Sequence, residues 1–574
     1  MKFRFYSFLL IFFLFSFIQI ASAQSAKKGE TVQSATGATL DDYLKRVEAF
    51  GFSGALLVEK DGKIILSKGY GWADRAKNVK NTTDTPFLIA SVSKQFTAAA
   101  VLQLEERGKL KTSDAIGKYL KDAPADKSQI TIHQLLTHTW GVGNNNAAGE
   151  ENNRGKAVGK ILAQPFEAKP GEKFIYSEGY ALLGAIVEIV SGQSLESYLK
   201  QNIFTPAKMT SAGFMGDAAF YKNKTLAHGY NSGDDYGSPA EMPYSWDDRG
   251  GSGIVVSPRD FYNWELALRR DDVVSANVKS KMFAPQFTIN PRTAYGYGWF
   301  VMETERNTKM LYHGGNETPA GYTAEFRRYP EENVTTILMV NTMIDEIGFN
   351  RVVSSNIASI IFGGKADYPP AFSEKPAPNL QVYKGKYKSA SGASFEVWTE
   401  NGQMLIGAEN QEAVNILAPV DKKFQDKLRG ASERTAALIE TAAKSENTGA
   451  PFRDKIKALE DNFGKLQKTE VLGTMPLTPE ADLATTYVRL QFEKAINVYR
   501  FVWNKENIAN VLQNTPLPAI TVFMPQSETD FIGYNPLLKN SILAKFIFDR
   551  KGSAAALELT TKDGKLLGRK VLGY

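Results

Sequence analysis

The chain has 574 residues, of which 43% are hydrophobic and 23% are charged, and its formal net charge is +6. This composition is typical of a globular protein, and so small a net charge argues against nucleic acid as a partner. The length predicts about three or four domains, and the absence of cysteine excludes disulfide bonds as a source of stability.

Residues 1–23 predict a signal peptide. Two basic residues precede an apolar stretch, and Ala21-Ser22-Ala23 has the small residues typical of a cleavage site. Cleavage after Ala23 predicts an exported protein, and the absence of cysteine favours a bacterial one that is periplasmic or secreted. Neither stop-transfer charges nor a cysteine for lipid attachment follow, so no membrane anchor is expected. Residues 24–36 are small and polar, which predicts a flexible tail.

Residues 37–365 predict an α/β (α+β) domain in which helices flank an antiparallel sheet. Residues 52–69 alternate as two strands around Asp61-Gly62, a pair that favours a type I′ turn. A second hairpin is predicted at residues 322–341. Strands at both ends of one domain predict that the two ends pair in a single antiparallel sheet.

The predicted helix after the first hairpin contains a candidate nucleophile. Ser91 precedes Lys94 by three residues, and residues three apart lie on one face of a helix. A serine hydroxyl becomes nucleophilic when a neighbouring base removes its proton, and Lys94 is within reach as that base. The same spacing begins at Ser25 and at Ser197, in the tail and on a predicted surface helix, so the spacing alone does not identify the site.

Five further motifs follow Ser91 and Lys94 in chain order. They are Leu135-Leu136-Thr137-His138-Thr139, Tyr176-Ser177-Glu178, Gly250-Gly251-Ser252-Gly253, Tyr295-Gly296-Tyr297-Gly298-Trp299 and His313-Gly314-Gly315. The glycine run predicts a tight turn under a pocket, because no Lys-Ser/Thr follows it as in a phosphate-binding loop. The chain's four histidines have no zinc-ligand spacing, so neither a metal nor another cofactor is expected. His138 is expected to be a structural hydrogen-bonding residue.

Together these motifs resemble the penicillin-recognising serine hydrolases, which include class C β-lactamases, D,D-carboxypeptidases and related esterases. The resemblance covers about residues 37–363 and implies a β-lactamase/transpeptidase-like fold. It implies that Ser91 forms an acyl-enzyme, that Lys94 accepts its proton, and that Tyr176 passes a proton to the leaving group.

The resemblance also implies the residues that meet the substrate. His313-Gly314-Gly315 stands where many relatives have Lys-Thr-Gly, so His313 would lie beside the substrate and Gly315 would allow close backbone approach. The backbone N–H groups of Ser91 and Asn316 would form the oxyanion hole, which stabilises the charge that develops on the substrate carbonyl oxygen.

Glu178 departs from the family pattern, which usually has asparagine at this position. An ionised glutamate cannot donate a hydrogen bond to a substrate amide. In the asparagine position it would lie within a few ångströms of Lys94, and two roles stay open. Either Glu178 takes the proton in a Ser-Lys-Glu relay, or it binds a cationic group such as a free amino terminus, which we favour slightly.

The remaining residues predict accessory domains after a proline-rich linker at residues 366–380. Short strands in 381–418 and 520–574 resemble a lipocalin-like β-barrel. Residues 419–519 predict an inserted α+β domain, similar to a cystatin or NTF2-type cone. Neither has an evident catalytic set, so we expect these domains to bind a ligand or partner or to shape the pocket.

The sequence favours a secreted serine hydrolase that acts on a D-amino-acid peptide, a β-lactam or an ester. The alternative is a non-catalytic penicillin-binding sensor or binding protein, which keeps the fold and acylates without turnover. The intact set of Ser91, Lys94 and Tyr176 favours the enzyme, whereas Glu178 keeps the alternative open.

Overall fold

The computed structural model describes residues 30–571, apart from residues 144–145, 232–233, 272, 318–319, 344–347, 372–378, 401–402, 420–429, 431, 442–452, 477–482, 505–506, 515–516 and 536–539. The predicted signal peptide and residues 24–29 of the predicted tail lie outside the described residues. The tail prediction extends too far, because Thr31 and Val32 already pair with a strand and a helix begins at Ser34.

The strands up to residue 343 belong mainly to one sheet. In chain order they are β1 Thr31–Val32, β2 Gly54–Lys60, β3 Lys63–Tyr70, β4 Trp72–Asp74, β5 Val79–Lys80, β6 Phe87–Leu88, β7 Gly213–Phe214, β8 Gly229–Asn231, β9 Asp234–Gly237, β10 Ile254–Val256, β11 Phe287–Asn290, β12 Thr293–Tyr295, β13 Phe300–Glu303, β14 Lys309–Glu317, β15 Tyr322–Tyr329, β16 Val334–Val340 and β17 Thr342–Met343.

Helices connect these strands and cover both faces of the sheet. They are α1 Ser34–Ala49, α2 Lys94–Glu106, α3 Ile132–Leu136, α4 Arg154–Leu162, α5 Gly179–Ser191, α6 Leu195–Leu199, α7 Ala218–Tyr221, α8 Pro258–Arg269, α9 Ala276–Met282 and α10 Gly348–Ile361.

The main sheet has nine antiparallel strands in the order β1-β3-β2-β16-β15-β14-β13-β12-β11. The first predicted hairpin is confirmed: β2 pairs with β3, and Asp61 and Gly62 both have positive φ, as a type I′ turn requires. The hairpin of β15 and β16 is also confirmed. The strand β16 pairs with β2, so the two ends of this part of the chain meet in one sheet, as predicted.

The sheet separates two hydrophobic cores. Along β2, Leu56 and Val58 pack with α1 and α10 on the rear face, whereas Ala55 and Leu57 pack with α2, α5 and α8 on the front face. This alternation is expected because successive strand residues point to opposite faces. The helix α2 is buried along most of its length, so it forms the centre of the front core.

Side-chain caps and a glycine mark the ends of three of these helices. Thr131 and Gln134 form a capping box at the start of α3. The hydroxyl of Ser257 caps α8, which has Pro258 in its first turn. Gly192, with φ of +74°, ends α5 in the left-handed conformation.

A closed eight-stranded barrel follows in the C-terminal region, with an inserted sheet. The barrel strands are β18 Gly385–Ser389, β19 Ser394–Glu400, β20 Gln403–Ala408, β25 Thr521–Pro525, β26 Asp530–Asn535, β27 Asn540–Phe548, β28 Ala554–Thr561 and β29 Gly564–Lys570. The four-stranded sheet of β21 Leu466–Pro476, β22 Leu483–Phe492, β23 Ile496–Asn504 and β24 Asn507–Asn514 lies between β20 and β25 in the chain.

Helices lead from the barrel to the inserted sheet: α11 Gln411–Leu417, α12 at residues 432–441, and α13 Arg453–Phe463. The strand pattern predicted up to Ala418 is wrong from Gln411 onward. Asn410 caps α11 through its side chain, and Val414 and Leu417 pack into the barrel core, so tertiary packing favours a helix there. None of the helices within the described ranges has the length and apolar character needed to cross a membrane.

Candidate active site

Ser91 lies in a tight turn that leads into α2. Residues Ala90–Ser93 form a 3-10 turn, and α2 continues from Lys94. Ala90 has φ of +44°, a left-handed value that costs energy for a residue with a Cβ atom. Because Ser91 is inside the turn and half-buried, it does not occupy the position that caps the helix.

Lys94 connects Ser91 to the glycine-rich turn. Its side chain is buried, and Nζ donates to Ser91 Oγ at 3.1 Å and to the carbonyl oxygen of Gly251 at 2.9 Å. The centroids of the Tyr176 and Tyr180 rings lie 4.9 and 5.7 Å from Nζ, within the range of cation–π attraction. The turn predicted under the pocket therefore supplies an acceptor that orients the lysine toward Ser91.

Tyr176 lies in the loop just before α5 and faces Lys94. Its ring also stacks on the imidazole of His138, with centroids 4.3 Å apart. The structure thus brings Ser91, Lys94 and Tyr176 together, although the tyrosine comes 82 positions after the lysine in sequence. A nucleophile, a nitrogen base and a phenol in one place have the composition needed for acyl transfer.

His313 lies near Tyr176 but is buried within β14, with 1% of its surface exposed. Its Nδ1 is 2.7 Å from the carbonyl oxygen of Gly314, which can only accept, so Nδ1 bears the proton. Nε2 then accepts from the Tyr295 hydroxyl at 3.0 Å. Burial and the charge of Lys94 lower the pKa of His313 to about 3, so this histidine is neutral.

The strand β14 passes directly over the turn that contains Ser91. A Cβ atom on Gly315 would lie 2.9 Å from the backbone nitrogen of Ser91 and would overlap the carbonyl oxygen of Ile89. Glycine is therefore required for this close approach. Among the described strands, β13 pairs with β14 only as far as Tyr312, so the segment that contains the exposed Asn316 pairs only with β15.

Glu178 lies among other carboxylates at the edge of this site. Its Oε1 accepts from the backbone N–H of Ala147 at 2.9 Å. Burial, followed by the charges of Glu178 and Asp248, raises the pKa of Asp247 to about 6. Burial, followed by the charges of Asp248 and Asp247, raises the pKa of Glu317 to about 7. These four residues, Glu178, Asp247, Asp248 and Glu317, are called the acidic rim below.

Sequence reasoning missed three members of the acidic rim. Asp247 and Asp248 come just before the glycine turn that binds Lys94, and Glu317 comes two residues after Gly315. Their positions beside recognised motifs were the available signal. Arg249 follows them but pairs with Glu196 at 3.1 Å. Across the described ranges, no group of three or more histidine, aspartate or glutamate side chains has the arrangement of a metal site.

Two proteins from Bacillus subtilis strain 168 are similar to this chain in sequence. PbpX is 34% identical over 265 residues, which are 46% of this chain and 64% of PbpX. Penicillin-binding protein 4* is 28% identical over 433 residues, which are 69% of this chain and 93% of that protein. The chain thus spans slightly less than two thirds of PbpX and nearly all of the second relative.

Solved structures show the same fold. The octameric penicillin-binding protein homologue from Pyrococcus abyssi is 18% identical and has a TM-score of 0.51 over 92% of this chain and 99% of its own. The D-amino acid amidase from Ochrobactrum anthropi SV3 is 21% identical, with a TM-score of 0.50 over 57% of this chain and 99% of its own. The Beta-lactamase family model matches residues 43–350, more than half of the sequence. The chain therefore belongs to the Beta-lactamase family of penicillin-recognising serine hydrolases.

Proposed function

We propose that this protein is a serine hydrolase that forms an acyl-enzyme on Ser91 and acts on a D-amino-acid peptide, a β-lactam or an ester. The main support is the 3.1 Å hydrogen bond between Ser91 Oγ and the buried Lys94 Nζ, in a turn with a strained residue before the serine. Similarity to a protein named penicillin-binding protein 4* supports β-lactams as acylating compounds.

In the proposed reaction, Ser91 Oγ attacks the substrate carbonyl carbon while unprotonated Lys94 Nζ takes the hydroxyl proton. The N–H groups of Ser91 and Asn316 stabilise the negative oxygen of the tetrahedral intermediate. The bond to the leaving group then breaks, and Tyr176 passes the proton from Lys94 to that group. Water attacks the acyl-enzyme, its proton returns through the same residues, and the acid leaves with Ser91 restored.

For the substrate, we infer a group with positive charge on the side of the acidic rim. The contact of Glu178 with Ala147 and its charge interaction with Asp247 support the cation-binding role for Glu178 over the proton relay. His313, which is neutral here, provides no positive charge for a substrate carboxylate, unlike the lysine of many relatives. Its proposed role is to shape the substrate side of β14 beside Gly315.

The test is covalent labelling with a fluorescent fluorophosphonate, followed by a substrate panel of p-nitrophenyl esters, nitrocefin and D-Ala-D-Ala peptides. Ser91→Ala should abolish labelling and turnover and keep cooperative unfolding, because the variant loses only one hydroxyl. Ser93→Ala is the matched control, since it removes a buried hydroxyl from the same turn, and it should still label. Labelling of Ser91→Ala at the wild-type rate would refute the proposed nucleophile.

The second candidate function is that of a sensor that acylates without turnover. Labelling with fluorescent penicillin, followed by a chase, distinguishes this sensor from an enzyme. An enzyme recovers its unlabelled form, whereas a sensor stays labelled. The strained turn and the closely held lysine favour the enzyme. We further propose that the protein acts in the periplasm or outside the bacterial cell, on the basis of residues 1–23.

We also propose that the C-terminal elements bind a partner or ligand at their surface. The barrel interior is filled by its own buried side chains, among them Tyr387, Phe395, Phe523 and Phe531. An interior packed in this way favours the outer face of the barrel, or the inserted sheet, as the place of contact.

A further inference from the structure

His138 contacts Tyr176 and both of its chain neighbours. The carbonyl oxygen of His138 accepts the backbone N–H of Ile175 at 2.8 Å, and its Nδ1 accepts the backbone N–H of Ser177 at 3.1 Å. Its imidazole stacks on the Tyr176 ring, with centroids 4.3 Å apart and planes inclined by 28°. One residue therefore holds the backbone on both sides of Tyr176 and the ring between them.

The conformation of His138 has costs that stability alone does not explain. Its φ is +55°, in the left-handed region that residues with a Cβ rarely adopt. The side chain is 0% exposed, and among the described residues Nε2 has no hydrogen-bond partner. Strained residues and unsatisfied buried groups of this kind concentrate at functional sites.

The imidazole is also held in its neutral form. Because Nδ1 accepts a hydrogen bond from Ser177, the single ring proton of neutral His138 lies on Nε2. Burial, and then the charges of Lys94 and His313, lower the pKa of His138 well below its usual range. Neutral His138 therefore adds no positive charge beside the phenol, whose ring lies 4.9 Å from Lys94 Nζ.

Tyr176 needs such support because it lies in a loop, three residues before α5 begins at Gly179. A phenol that passes protons must keep its hydroxyl directed at the reacting atoms, and small displacements cost large factors in rate. We propose that His138 is a positioning residue for Tyr176, holding its phenol in the orientation used for proton transfer. This inference rests on the proposed acyl-enzyme function.

Two variants separate the two ways in which the His138 side chain holds the tyrosine. His138→Asn keeps an acceptor near the Nδ1 position and a residue that tolerates left-handed φ, but it removes the stacked ring. His138→Phe keeps a stacked ring but removes the acceptor for Ser177. The matched control is His133→Asn in α3, which removes the contact of the His133 Nδ1 with the Tyr297 hydroxyl at 2.8 Å.

Each variant is made in the wild-type and in the Tyr176→Phe background, and hydrolysis of p-nitrophenyl acetate is measured from pH 5.5 to 10. We expect each His138 variant to lower kcat by about 10- to 100-fold with KM nearly unchanged. It should also alter the limb of the pH profile that Tyr176→Phe removes. In the Tyr176→Phe background the further loss should be less than about twofold, because the residue positioned by His138 is already absent. His133→Asn should leave kcat unchanged.

An equal loss of kcat in both backgrounds would overturn the positioning role and make His138 merely structural. A folded His138→Phe and a folded His138→Asn with wild-type kcat would also overturn it, as would failure of both variants to fold by circular dichroism. Failure of the proposed function is a different result: the wild-type protein would then show neither turnover nor labelling at Ser91.

Discussion

At the scale of single residues, we propose that Glu178, a carboxylate where the family usually has asparagine, makes the site favour positively charged substrates. Glu178 lies two residues after Tyr176, and its charge acts on Asp247. Carboxylates brought together at a partly buried site repel one another, and a cation among them relieves that repulsion. The acidic rim is therefore more consistent with a positively charged substrate group than with a free carboxylate.

Glu178→Gln tests this role with two matched esters, one with a trimethylammonium group and one with a neutral tert-butyl group of the same shape. We expect kcat/KM for the cationic ester to fall by about tenfold and that for the neutral ester to change less than about twofold, since only one loses an attraction. The permanent charge of the ammonium keeps the substrate unchanged as pH varies.

The control for this variant is Glu172→Gln, which neutralises an exposed glutamate four residues before Tyr176. It should leave the ratio of the two kcat/KM values unchanged. Equal losses on both esters in Glu178→Gln would contradict cation binding and instead support the relay in which Glu178 takes a proton from Lys94.

We expect Glu317 to make the stability of the folded protein depend on pH. Its pKa is raised from 4.5 to about 7, so the folded state favours the protonated carboxyl. The contribution of protonated Glu317 to the free energy of unfolding is fully present below about pH 4.5. It is lost as pH rises through 7. Relative to Glu317→Gln, the wild-type free energy of unfolding should fall by about 2 kcal/mol between pH 5 and pH 8. Urea unfolding at both pH values measures this difference.

Glu303→Gln serves as the control for Glu317, because Glu303 is an exposed glutamate on the neighbouring β13. Its difference from the wild type should stay the same at the two pH values. A Glu317→Gln difference that is also constant with pH would show that Glu317 is already ionised at pH 5.

The residues of the proposed catalytic set were easier to predict from the sequence than their surroundings. Ser91, Lys94 and Tyr176 belong to motifs whose order alone indicates a shared pocket, and the structure brings them together. The neutral state of His313 was not predictable, because it depends on Tyr295 and on burial in the folded sheet. The acidic rim was missed for the same reason, since its members meet only after folding.

At the scale of elements, the proposed site is formed where β14 passes close to the turn before α2. Local signals predicted the hairpins, because a type I′ turn is determined by a few adjacent residues. The helix α11 was wrongly predicted as strand. Its first turn is capped by Asn410, and Val414 and Leu417 pack in the barrel core, a contact that exists only after folding.

Gly315→Ala tests the contact between these two elements. The new Cβ would overlap the Ile89 carbonyl oxygen, so β14 must move away from the Ser91 turn. This movement should displace the N–H groups of Ser91 and Asn316, which form the proposed oxyanion hole, and lower kcat by about 10²–10³-fold. The control is Gly568→Ala in β29, where the nearest atoms lie 3.4 Å or more from the added Cβ. Wild-type kcat in Gly315→Ala would show that the strand does not position the substrate.

At the scale of the whole molecule, the barrel contacts the hydrolase part behind the sheet. Phe50, just after α1, packs on Tyr534 of the barrel with ring centroids 5.7 Å apart, and Gln403 donates to the carbonyl oxygen of Ala49 at 2.9 Å. Since α1 covers the rear face and α2 the front face, this contact lies on the opposite side of the sheet from Ser91.

The inserted segment should therefore be dispensable for the chemistry. Ala418, just before this segment, and Ala519, its last residue, belong to the same barrel core, and Thr521 pairs with Ile406, so we expect a short Gly/Ser bridge to replace residues 419–519. We expect the deletion variant to hydrolyse p-nitrophenyl acetate with a kcat/KM within about threefold of the wild type, because every residue of the proposed site stays in place. Introducing Ser91→Ala into the deletion variant should abolish that activity and so exclude a contaminating esterase. A deletion variant that is folded and monodisperse but inactive would show that the inserted sheet completes the site, in this chain or in a neighbouring copy.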